Sequence, residues 1–432
     1  MKKLLCAAVS ILMIVSLAAC NNSNSSSAFA ETDFVPALDK STSCDIKVVG
    51  SYSNFEALLV EFDRFNEYYP NVKLRYEKLD DYENTLPVVL EGSEKPNIFF
   101  SESKMVDNDK YTSVTSHMEN LSDSSLSINL DVIRSGLIKR DANDKVLTVP
   151  VFSKTCGALV NNDLFKKENI KVPTSWSELL NACDSLYKKN YISPIMGYSK
   201  DSKPSSGLMN VISYPLFIAE LANNHDALIK ANNLDSSAGE YMRGALNVVS
   251  NLISAGYINI EDCDQIGDNY EKVLLRFFEG DVPMMVCNSD TVSGAKKRES
   301  KSEKYQSNPF DYSFYPFPVT EEGGYFVDSA SLQFSVNKNC ENLDITNEFM
   351  RFIISDKELG DMASNKGLIA PTKEKSFQAV YAPFANVPKE LTIVPEFVGV
   401  KEQVFTQIRI ASYKVGKGEL TIDEAIAQYG KF

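Results

Sequence analysis

The chain has 432 residues and carries 58 acidic against 44 basic side chains, so its formal charge is −14 at pH 7. This balance argues against a nucleic-acid-binding protein, because phosphate recognition requires a basic face. A chain of this length exceeds what one hydrophobic core usually supports, which predicts two domains.

The N-terminus has the pattern of an export signal. Lys2 and Lys3 follow the initiator methionine, and an apolar run fills residues 4–19. This run is too short and too early in the chain to indicate a membrane-spanning helix. Small residues precede Cys20, an order that resembles the lipobox of bacterial lipoproteins, in which the cysteine becomes the first mature residue and carries the lipid. We therefore predict a signal peptide over residues 1–19 and lipidation at Cys20. The alternative is an ordinary cleaved signal with an incidental cysteine.

Residues 20–43 are predicted to form a lipid-anchored flexible spacer, since the tract after Cys20 reads NNSNSSS. Several acyl chains on one residue make membrane attachment durable, whereas a single chain binds only marginally. No later segment reaches the length of a membrane-spanning helix, so we expect the rest of the chain to lie outside the membrane.

The chain after the spacer alternates between strand and helix patterns. Residues 45–50 form a β-rich run closed by glycine, and Ser53–Glu56 has the spacing of a capping box that opens an amphipathic helix. Residues 72–76 read as the next strand, a second helical stretch reaches Gly92, and residues 96–100 read as a third strand. This alternation predicts a parallel sheet covered by helices.

A second α/β pattern follows. Residues 147–151 are extended, residues 157–160 begin another sheet, and Ser175–Glu178 is a second capping-box match at the start of an apolar helix face. Residues 282–287 form an apolar strand. Ligands of open α/β sheets bind outside the carboxyl ends of the strands, so residues just after strands are the candidate contacts.

Seven segments, in this order, resemble the extracellular solute-binding proteins of ABC importers, in particular the group typified by maltose-binding protein. The segments are FDRFNEYYPNVKLRYE (62–77), PNIFFS (96–101), LTVPVF (147–152), ALVNNDLFKKENIKVPTSWSEL (158–179), FFEGDVPMMV (277–286), SVNKNCENLDITNEFMRFIISDKE (335–358) and LTIDEAI (420–426). Their order and spacing, together with the lipobox, carry the resemblance over nearly the whole mature chain.

The resemblance implies an α/β fold of the two-lobe, type II periplasmic-binding-protein class, with each lobe a mostly parallel sheet flanked by helices. It also implies that the chain crosses between the lobes more than once, with hinges near residues 150–151 and 328–331. The lobes expected from the family pattern are 44–150 plus 331–385 for the first and 151–330 plus 386–432 for the second.

The function implied is capture and delivery. A small-molecule solute, expected to be a carbohydrate, is bound between closing lobes and passed to the transmembrane permease subunits of an ABC transporter. Lipid on Cys20 would hold the receptor, expected to be a monomer, outside the cytoplasm on the cell membrane and close to that permease. Two alternatives stay open, namely a receptor for a cationic solute such as a polyamine, and a surface lipoprotein used for sensing or adhesion.

The candidate substrate contacts are the residues at strand ends and hinges, because aromatic faces pack on the C–H surfaces of sugars and planar polar groups hold hydroxyls. They are Tyr52, Asn54, Ser101 and Glu102 of the first lobe, Phe152, Asp328 and Ser329 at the hinges, and Tyr198, Asn288, Ser289 and Asp290 of the second lobe. Asn54 has an alternative role at a helix start, Phe152 in the core and Glu102 as a solvated loop acid. Asp290 is the strongest candidate, because folding poorly explains an acid directly after an apolar strand.

One departure from the sugar-receptor pattern concerns the platform for the ligand. Such receptors often place Gly-x-Trp where this chain has Asn288-Ser289-Asp290, and the sole tryptophan, Trp176, is assigned to a helix face. Any stacking platform must therefore be Tyr or Phe. This leaves open a smaller sugar, or a cationic solute neutralised by Glu102 and Asp290.

The sequence contains no pattern typical of a metal, cofactor or enzyme site. Its two histidines, His117 and His225, have no partner at metal-ligand spacing, and no nucleophile elbow, phosphate-binding loop or dinucleotide turn occurs. The six cysteines after Cys20 are scattered, and Cys183 and Cys287 lie in apolar patterns that predict buried free thiols. We therefore expect no cofactor and no enzyme, although a glycosidase needs only two carboxylates and is not excluded.

Overall fold

The computed structural model describes residues 34–106, 108–199, 207–267, 269–373 and 377–432. The predicted signal peptide, Cys20 and most of the predicted spacer lie outside the described residues. Within these ranges no helix has both the length and the apolar character needed to cross a membrane.

The described chain alternates short strands with helices. The strands are β1 (Cys44–Gly50), β2 (Val72–Lys78), β3 (Ile98–Ser101), β4 (Val149–Pro150), β5 (Ser153–Lys154), β6 (Cys156–Asn161), β7 (Ile195–Met196), β8 (Met284–Asn288), β9 (Tyr312–Tyr315), β10 (Pro318–Thr320), β11 (Gly323–Gly324), β12 (Phe326–Val327), β13 (Ser329–Ala330), β14 (Gln333–Val336) and β15 (Thr392–Ile393). The helices are α1 (Glu56–Phe65), α2 (Tyr82–Glu91), α3 (Thr112–Thr115), α4 (Asn162–Lys167), α5 (Trp176–Lys188), α6 (Leu208–Ala222), α7 (His225–Asn232), α8 (Arg243–Ser254), α9 (Ile260–Gln265), α10 (Tyr270–Phe277), α11 (Ser289–Val292), α12 (Ala295–Glu299), α13 (Glu303–Ser307), α14 (Leu343–Ile353), α15 (Asp356–Lys366), α16 (Pro395–Val398), α17 (Glu402–Gly416) and α18 (Ile422–Ala427).

The sheet of the first lobe has the strand order β2-β1-β3-β14-β4. β1 pairs in parallel with β2 and β3, whereas β14 pairs antiparallel with β3 and β4. The three strands predicted near residues 45–50, 72–76 and 96–100 are therefore confirmed as β1, β2 and β3. Their carboxyl ends share one edge of the sheet.

The sheet of the second lobe has the order β7-β8-β6-β9, with β7 parallel to β8 and β6 antiparallel to both of its neighbours. The predicted α/β fold with two lobes is confirmed, and in each sheet one strand, β14 or β6, runs against the others. Each of these two strands directly follows a crossing between lobes. Because such a strand enters its sheet from the hinge edge, it must run away from that edge, whereas the strands that follow helices run toward it.

One predicted helix start is wrong and another is confirmed in part. α1 has Phe55 as its N-cap, and no side chain caps it, so Ser53 does not form the predicted capping box. Phe55 is buried in the first-lobe core, and this burial sets the start of the helix. At α5 the Ser175 hydroxyl accepts a hydrogen bond from the Glu178 N–H, as predicted. The Glu178 carboxylate accepts hydrogen bonds from Thr174 rather than from the Ser175 N–H, so only half of the capping box forms.

Hydrophobic packing separates the two lobes. One cluster surrounds β1, β3, α1 and α14, a second surrounds β6, β8 and α5, and a third joins α6, α8 and α17 beside the second sheet. The predicted lobe boundary at residue 385 stays a prediction, but packing favours an earlier one near residue 370. The rings of Tyr381 and Phe384 lie 5.9 and 5.4 Å from that of Phe314, a residue of the second-lobe core.

Arg134 of the first lobe joins the three segments that cross between lobes. Its Nε and Nη2 donate to the two carboxylate oxygens of Asp328 at 2.6 and 2.9 Å, and Nη2 also donates to the Ser153 hydroxyl at 2.7 Å. Nη1 donates to the carbonyls of Ala370 and Thr372 at 2.9 and 2.6 Å. The first two crossings also pair directly, since β13 is antiparallel to β5.

A second arginine joins α1 to α15. Arg64 Nη1 lies 3.3 Å from Glu61, 2.6 Å from Glu358 and 3.0 Å from Asp361. Glu61 is fully buried. Burial, followed by the neighbouring Glu358, raises the pKa of Glu61 to about 9, which leaves this carboxyl protonated at neutral pH.

We predict that Arg134→Met lowers the free energy of unfolding by about 3–5 kcal/mol, because it leaves Asp328, only 1% exposed, without its counter-charge. The measurement is urea denaturation followed by circular dichroism. The matched control is Arg140→Met, since Arg140 pairs with the exposed Asp144 and its loss should cost less than about 1 kcal/mol. Equal losses for the two variants would contradict the structural role of Arg134.

We predict that Glu61→Gln changes how stability depends on pH. The folded pKa of Glu61 lies above its unfolded value, so its contribution is complete below about pH 4.5 and is lost as pH rises through about 9. Between these values the free energy of unfolding of the native protein should fall, relative to Glu61→Gln, by up to about 1.4 kcal/mol per pH unit. Denaturation from pH 5 to 9 measures this slope, and Glu67→Gln, at an exposed position, should keep the native slope. A native slope that persists in Glu61→Gln would contradict the assignment.

Candidate ligand-binding site

The cleft between the lobes is formed where β1 and β8 end. Tyr52 follows β1 in the first lobe, and Asp290 follows β8 in the second. The Ser331 hydroxyl, at the hinge, donates to Asp290 Oδ1 at 3.2 Å. Burial raises the pKa of Tyr52, and the negative charge of Asp290 adds to this shift, so the two residues interact across the lobes.

Tyr52 is held in place by aromatic neighbours. Its ring meets the rings of Phe55 and Phe100 edge-on, with centroids 5.4 and 5.2 Å away. Lys366 Nζ lies 4.6 Å from the Tyr52 ring centroid. Burial lowers the pKa of Lys366, and Lys297 of the second lobe acts in the same direction. An aromatic ring and an ammonium group therefore line the first-lobe side of the cleft.

The lobes approach each other closely behind these residues. The Tyr381 hydroxyl lies 3.1 Å from the Ser289 carbonyl oxygen and 2.9 Å from the Gly367 carbonyl oxygen, so its single proton is shared between acceptors from the two lobes. Gly367 ends α15 with φ +72°, and a Cβ at this position would lie 3.3 Å from the Ser293 carbonyl oxygen. Glycine therefore permits both the left-handed turn and the contact with the second lobe.

Five of the predicted site residues belong to the framework, and their assignment to the ligand is corrected. Their polar groups or rings are buried and satisfied within the protein. The Ser101 hydroxyl accepts from Ser335, Phe152 packs against Phe55 in the core, Asn288 Oδ1 caps α11, the Ser289 hydroxyl accepts from the Thr155 N–H, and Asp328 pairs with Arg134. A position at a strand end does not decide on which face of the sheet a side chain lies, and these side chains point inward.

The remaining predicted site residues lie in different surroundings. Tyr198 is buried in the second-lobe core, and Ser329 is half-buried within β13. Asn54 is exposed and donates to Glu56 at 3.1 Å, in accordance with its alternative role at the helix start. Glu102 is exposed and lies 3.1 Å from Lys104 Nζ. Tyr52, Asp290 and Glu102 therefore remain as the predicted residues with groups at the cleft.

The start of α17 supplies contacts that the sequence reasoning missed. Burial lowers the pKa of Lys104, but the negative charges of Glu102 and Glu402 outweigh this effect and raise it. Glu402 of α17 therefore interacts electrostatically with the first lobe. Phe405 and Arg409 follow Glu402 at intervals of three and seven residues and so share its face of the helix. Through Glu402 this face lies toward Lys104 of the first lobe.

Phe405 and Arg409 give this face an aromatic and a cationic group. The Phe405 ring meets the Tyr214 ring of α6 edge-on, with centroids 4.4 Å apart. Burial lowers the pKa of Arg409, while neighbouring Tyr198 opposes this change. Phe405 and Tyr214 therefore form an aromatic pair between α17 and α6. The helical spacing of Phe405 and Arg409 in the sequence indicates that the two residues share a helix face. It does not show which face of the helix meets the other lobe.

One acidic cluster among the described residues has ligand atoms close enough for a cation. Oxygens of Glu61, Glu358 and Asp361 lie within 4.8 Å of one another. Arg64 Nη1 is within 3.3 Å of all three side chains and already supplies their positive charge. We therefore assign this cluster to helix packing. The predicted buried thiols are confirmed, since Cys183 and Cys287 are free and buried.

A separate cavity of about 580 Å³ lies at the amino ends of β7 and β8, away from the cleft. Residues 190–193 and the ion pair of Arg276 with Asp281 contribute to its lining. The cleft is the better candidate for the ligand, because both lobes meet there at the carboxyl ends of their strands.

Comparisons with known proteins agree with this architecture. RafE from Streptococcus pneumoniae in its apo form has a TM-score of 0.69 at 15% identity, with 91% of this chain and 97% of that chain covered. A sugar transporter from Bacillus licheniformis in complex with stachyose has a TM-score of 0.60 at 16% identity, with 90% and 100% covered. The GacH receptor of Streptomyces glaucescens, studied unliganded and with acarbose, has a TM-score of 0.67 at 16% identity, with 90% and 97% covered.

The TM-scores and the coverage show a shared fold. No curated protein matches this chain by sequence. The family model described as "Bacterial extracellular solute-binding protein" matches residues 50–359, which include the strands that end at the cleft from both lobes. The chain therefore belongs to the family of bacterial extracellular solute-binding proteins.

Proposed function

We propose that this protein is a lipid-anchored receptor that captures a sugar or an oligosaccharide in the interlobe cleft and delivers it to the permease of an ABC importer. The observation that carries the proposal is the approach of Tyr52 and Asp290, from opposite lobes, beside Ser331 at the hinge. A ligand between them contacts both lobes and so favours the closed state.

The chemistry of the cleft suits a carbohydrate. Sugar C–H surfaces pack on aromatic faces, which Tyr52 and the pair of Phe405 and Tyr214 supply. Carboxylate and guanidinium groups form strong hydrogen bonds with hydroxyls, and Asp290 and Arg409 supply these. Two structural neighbours, studied in complex with stachyose and with acarbose, support the same ligand class.

The charges at the cleft weigh against a cationic solute. Glu102 already pairs with Lys104, and Lys366 lies over Tyr52. Arg409 adds a further positive charge on the second-lobe side. A polyamine requires carboxylates without nearby cations, so a neutral sugar fits these surroundings better.

Delivery requires the receptor to stay close to its permease. We propose that lipid on Cys20 anchors the protein to the outer side of the cell membrane, where the spacer raises its effective concentration at the permease. The protein acts by binding and closure rather than by catalysis. A surface lipoprotein for sensing or adhesion is the alternative, and uptake measurements distinguish the two.

We predict that the soluble protein without its signal and lipid binds an oligosaccharide, and that Asp290→Ala lowers the affinity about tenfold to a hundredfold, since hydrogen bonds to charged groups contribute about 1.5–3 kcal/mol. A thermal-shift panel of galacto-, malto-, xylo- and chito-oligosaccharides with spermidine identifies the ligand, and calorimetry gives affinities. A ligand at 100 times its Kd stabilises the folded state by about 2.7 kcal/mol. Asp226→Ala, on the exposed start of α7, is the control. A shift with spermidine alone would refute the sugar proposal.

We predict that Phe405→Ala weakens sugar binding about fivefold, because an aromatic contact contributes about 1 kcal/mol. Phe397→Ala, which removes a ring that is 81% exposed on α16, should leave the affinity unchanged. Calorimetry with the sugar found in the panel measures both variants. Equal affinities for Phe405→Ala and the native protein would remove α17 from the binding face.

A further inference from the structure

Two lysines from opposite lobes border the cleft beside Tyr52. Lys366 is the last residue of α15 in the first lobe, and its Nζ lies 4.6 Å from the centroid of the Tyr52 ring. Lys297 belongs to α12 of the second lobe. The approach of these two side chains determines which charge a ligand meets beside Tyr52.

The segments that carry the two lysines touch directly. Gly367 follows Lys366, and a Cβ at Gly367 would lie 3.3 Å from the Ser293 carbonyl oxygen and 3.4 Å from the Ser293 Cα. Ser293 and Gly294 continue the helical conformation from α11 into α12, so Lys297 follows Ser293 after about one turn, on the same side of this segment. The end of α15 and the first turn of α12 therefore bring the two lysines together across the lobes.

The charges of the two lysines act on each other. Burial is the main cause that lowers the pKa of Lys366. The negative charge of Glu56 opposes this change, and the positive charge of Lys297 adds to it. A neighbouring cation has this effect because it disfavours the charged form of an amine. The two ammonium groups therefore repel each other across the lobes.

Neither lysine forms an ion pair with a described residue. Lys296, the neighbour of Lys297, pairs with Glu299 at 2.9 Å. Lys297 itself is exposed, and Lys366 is half-buried against the Tyr52 ring. The chain has 58 acidic against 44 basic side chains, yet these two cations at the cleft have no described carboxylate in contact. They are therefore available to a ligand.

An anion between the two lysines would favour closure of the cleft. Repulsion between like charges on opposite lobes opposes closure, whereas a negative group between them attracts both lobes. A neutral sugar suits the cleft better than a polyamine does, but it would leave both ammonium groups without a counter-charge. Asp290 begins the segment that carries Lys297 and lies about 10 Å from it along the helical rise. One ligand can therefore place hydroxyls at Asp290 and an anionic group at the lysines.

We propose that the sugar bound by this receptor carries an anionic group, a carboxylate or a phosphate, and that Lys366 and Lys297 hold this group between the lobes. The inference rests on the proposed capture of a sugar in the cleft and names the chemical class of that sugar. An ammonium group attracts either anion as a point charge, so the two lysines do not themselves distinguish a uronic acid from a sugar phosphate. The experiment therefore has one arm for each anion.

Calorimetry on the mature chain tests the preference for an anionic sugar. One arm compares trigalacturonic acid with its carboxyl-reduced form, and the other compares galactose 6-phosphate with galactose. In at least one arm the anionic sugar should bind about tenfold more tightly than its neutral counterpart, because hydrogen bonds between charged groups are the stronger ones. Raising the salt concentration from about 0.05 to about 0.5 M should reduce this preference, because salt screens the charges.

Substitution of each lysine tests the assignment of the anion to this place. Lys297→Gln and Lys366→Gln should each lower the ratio of anionic to neutral affinity about fivefold or more. Lys296→Gln is the matched control and should keep the native ratio, because Lys296 is exposed on the same helix but pairs with Glu299.

The outcomes separate this inference from the proposed function. A ratio near one in both arms, or a ratio that neither Lys297→Gln nor Lys366→Gln changes, would overturn the inference and leave the sugar receptor in place. If no sugar binds, whether anionic or neutral, the receptor proposal fails and the inference fails with it.

Discussion

The interlobe cleft depends on the hydrogen bonds of one side chain, Arg134. A guanidinium group is planar, always charged and carries five donors in fixed directions. In this protein those donors bind Asp328, Ser153 and the carbonyls of Ala370 and Thr372, which belong to three different crossings between the lobes. A lysine has a single charged nitrogen and would not hold three segments in this arrangement. The hinge is therefore ordered at its centre.

This hinge determines which groups meet in the cleft. Asp328 leads through β13 to Ser331, and the Ser331 hydroxyl binds Asp290 of the second lobe. The first lobe adds Tyr52 from the carboxyl end of β1. Helix α17, which begins more than 110 residues after Asp290, adds Phe405 and Arg409. Residues 34–38 pack at the opposite end of the first sheet, where the Phe34 ring meets Tyr68 and the Leu38 N–H donates to the Tyr69 hydroxyl.

The site predicted from strand ends stays a prediction, but the structure shows which of its side chains reach the cleft and which are used within the framework. Tyr52 and Asp290 lie at the cleft, because β1 and β8 both have their carboxyl ends at the hinge edge. Ser101 and Glu102 are neighbours in sequence, yet one hydroxyl is buried and one carboxylate is exposed, since successive side chains of a strand point to opposite faces. Asn288 and Asp328 have the polar character of ligand contacts, but a helix cap and a buried ion pair use their oxygens.

The sequence by itself determined the α/β class, the positions of β1, β2 and β3, the buried thiols of Cys183 and Cys287, and the strand ends at which Tyr52 and Asp290 lie. These features follow from local periodicity, turn residues and the order of family segments, all of which are written along the chain. Only the tertiary structure decided that Arg134 pairs with Asp328, that α17 faces Lys104 and that Phe34 docks on α1 and α14. Such contacts join residues far apart in sequence, and periodicity reports that a face is buried or polar without identifying the partner that covers it.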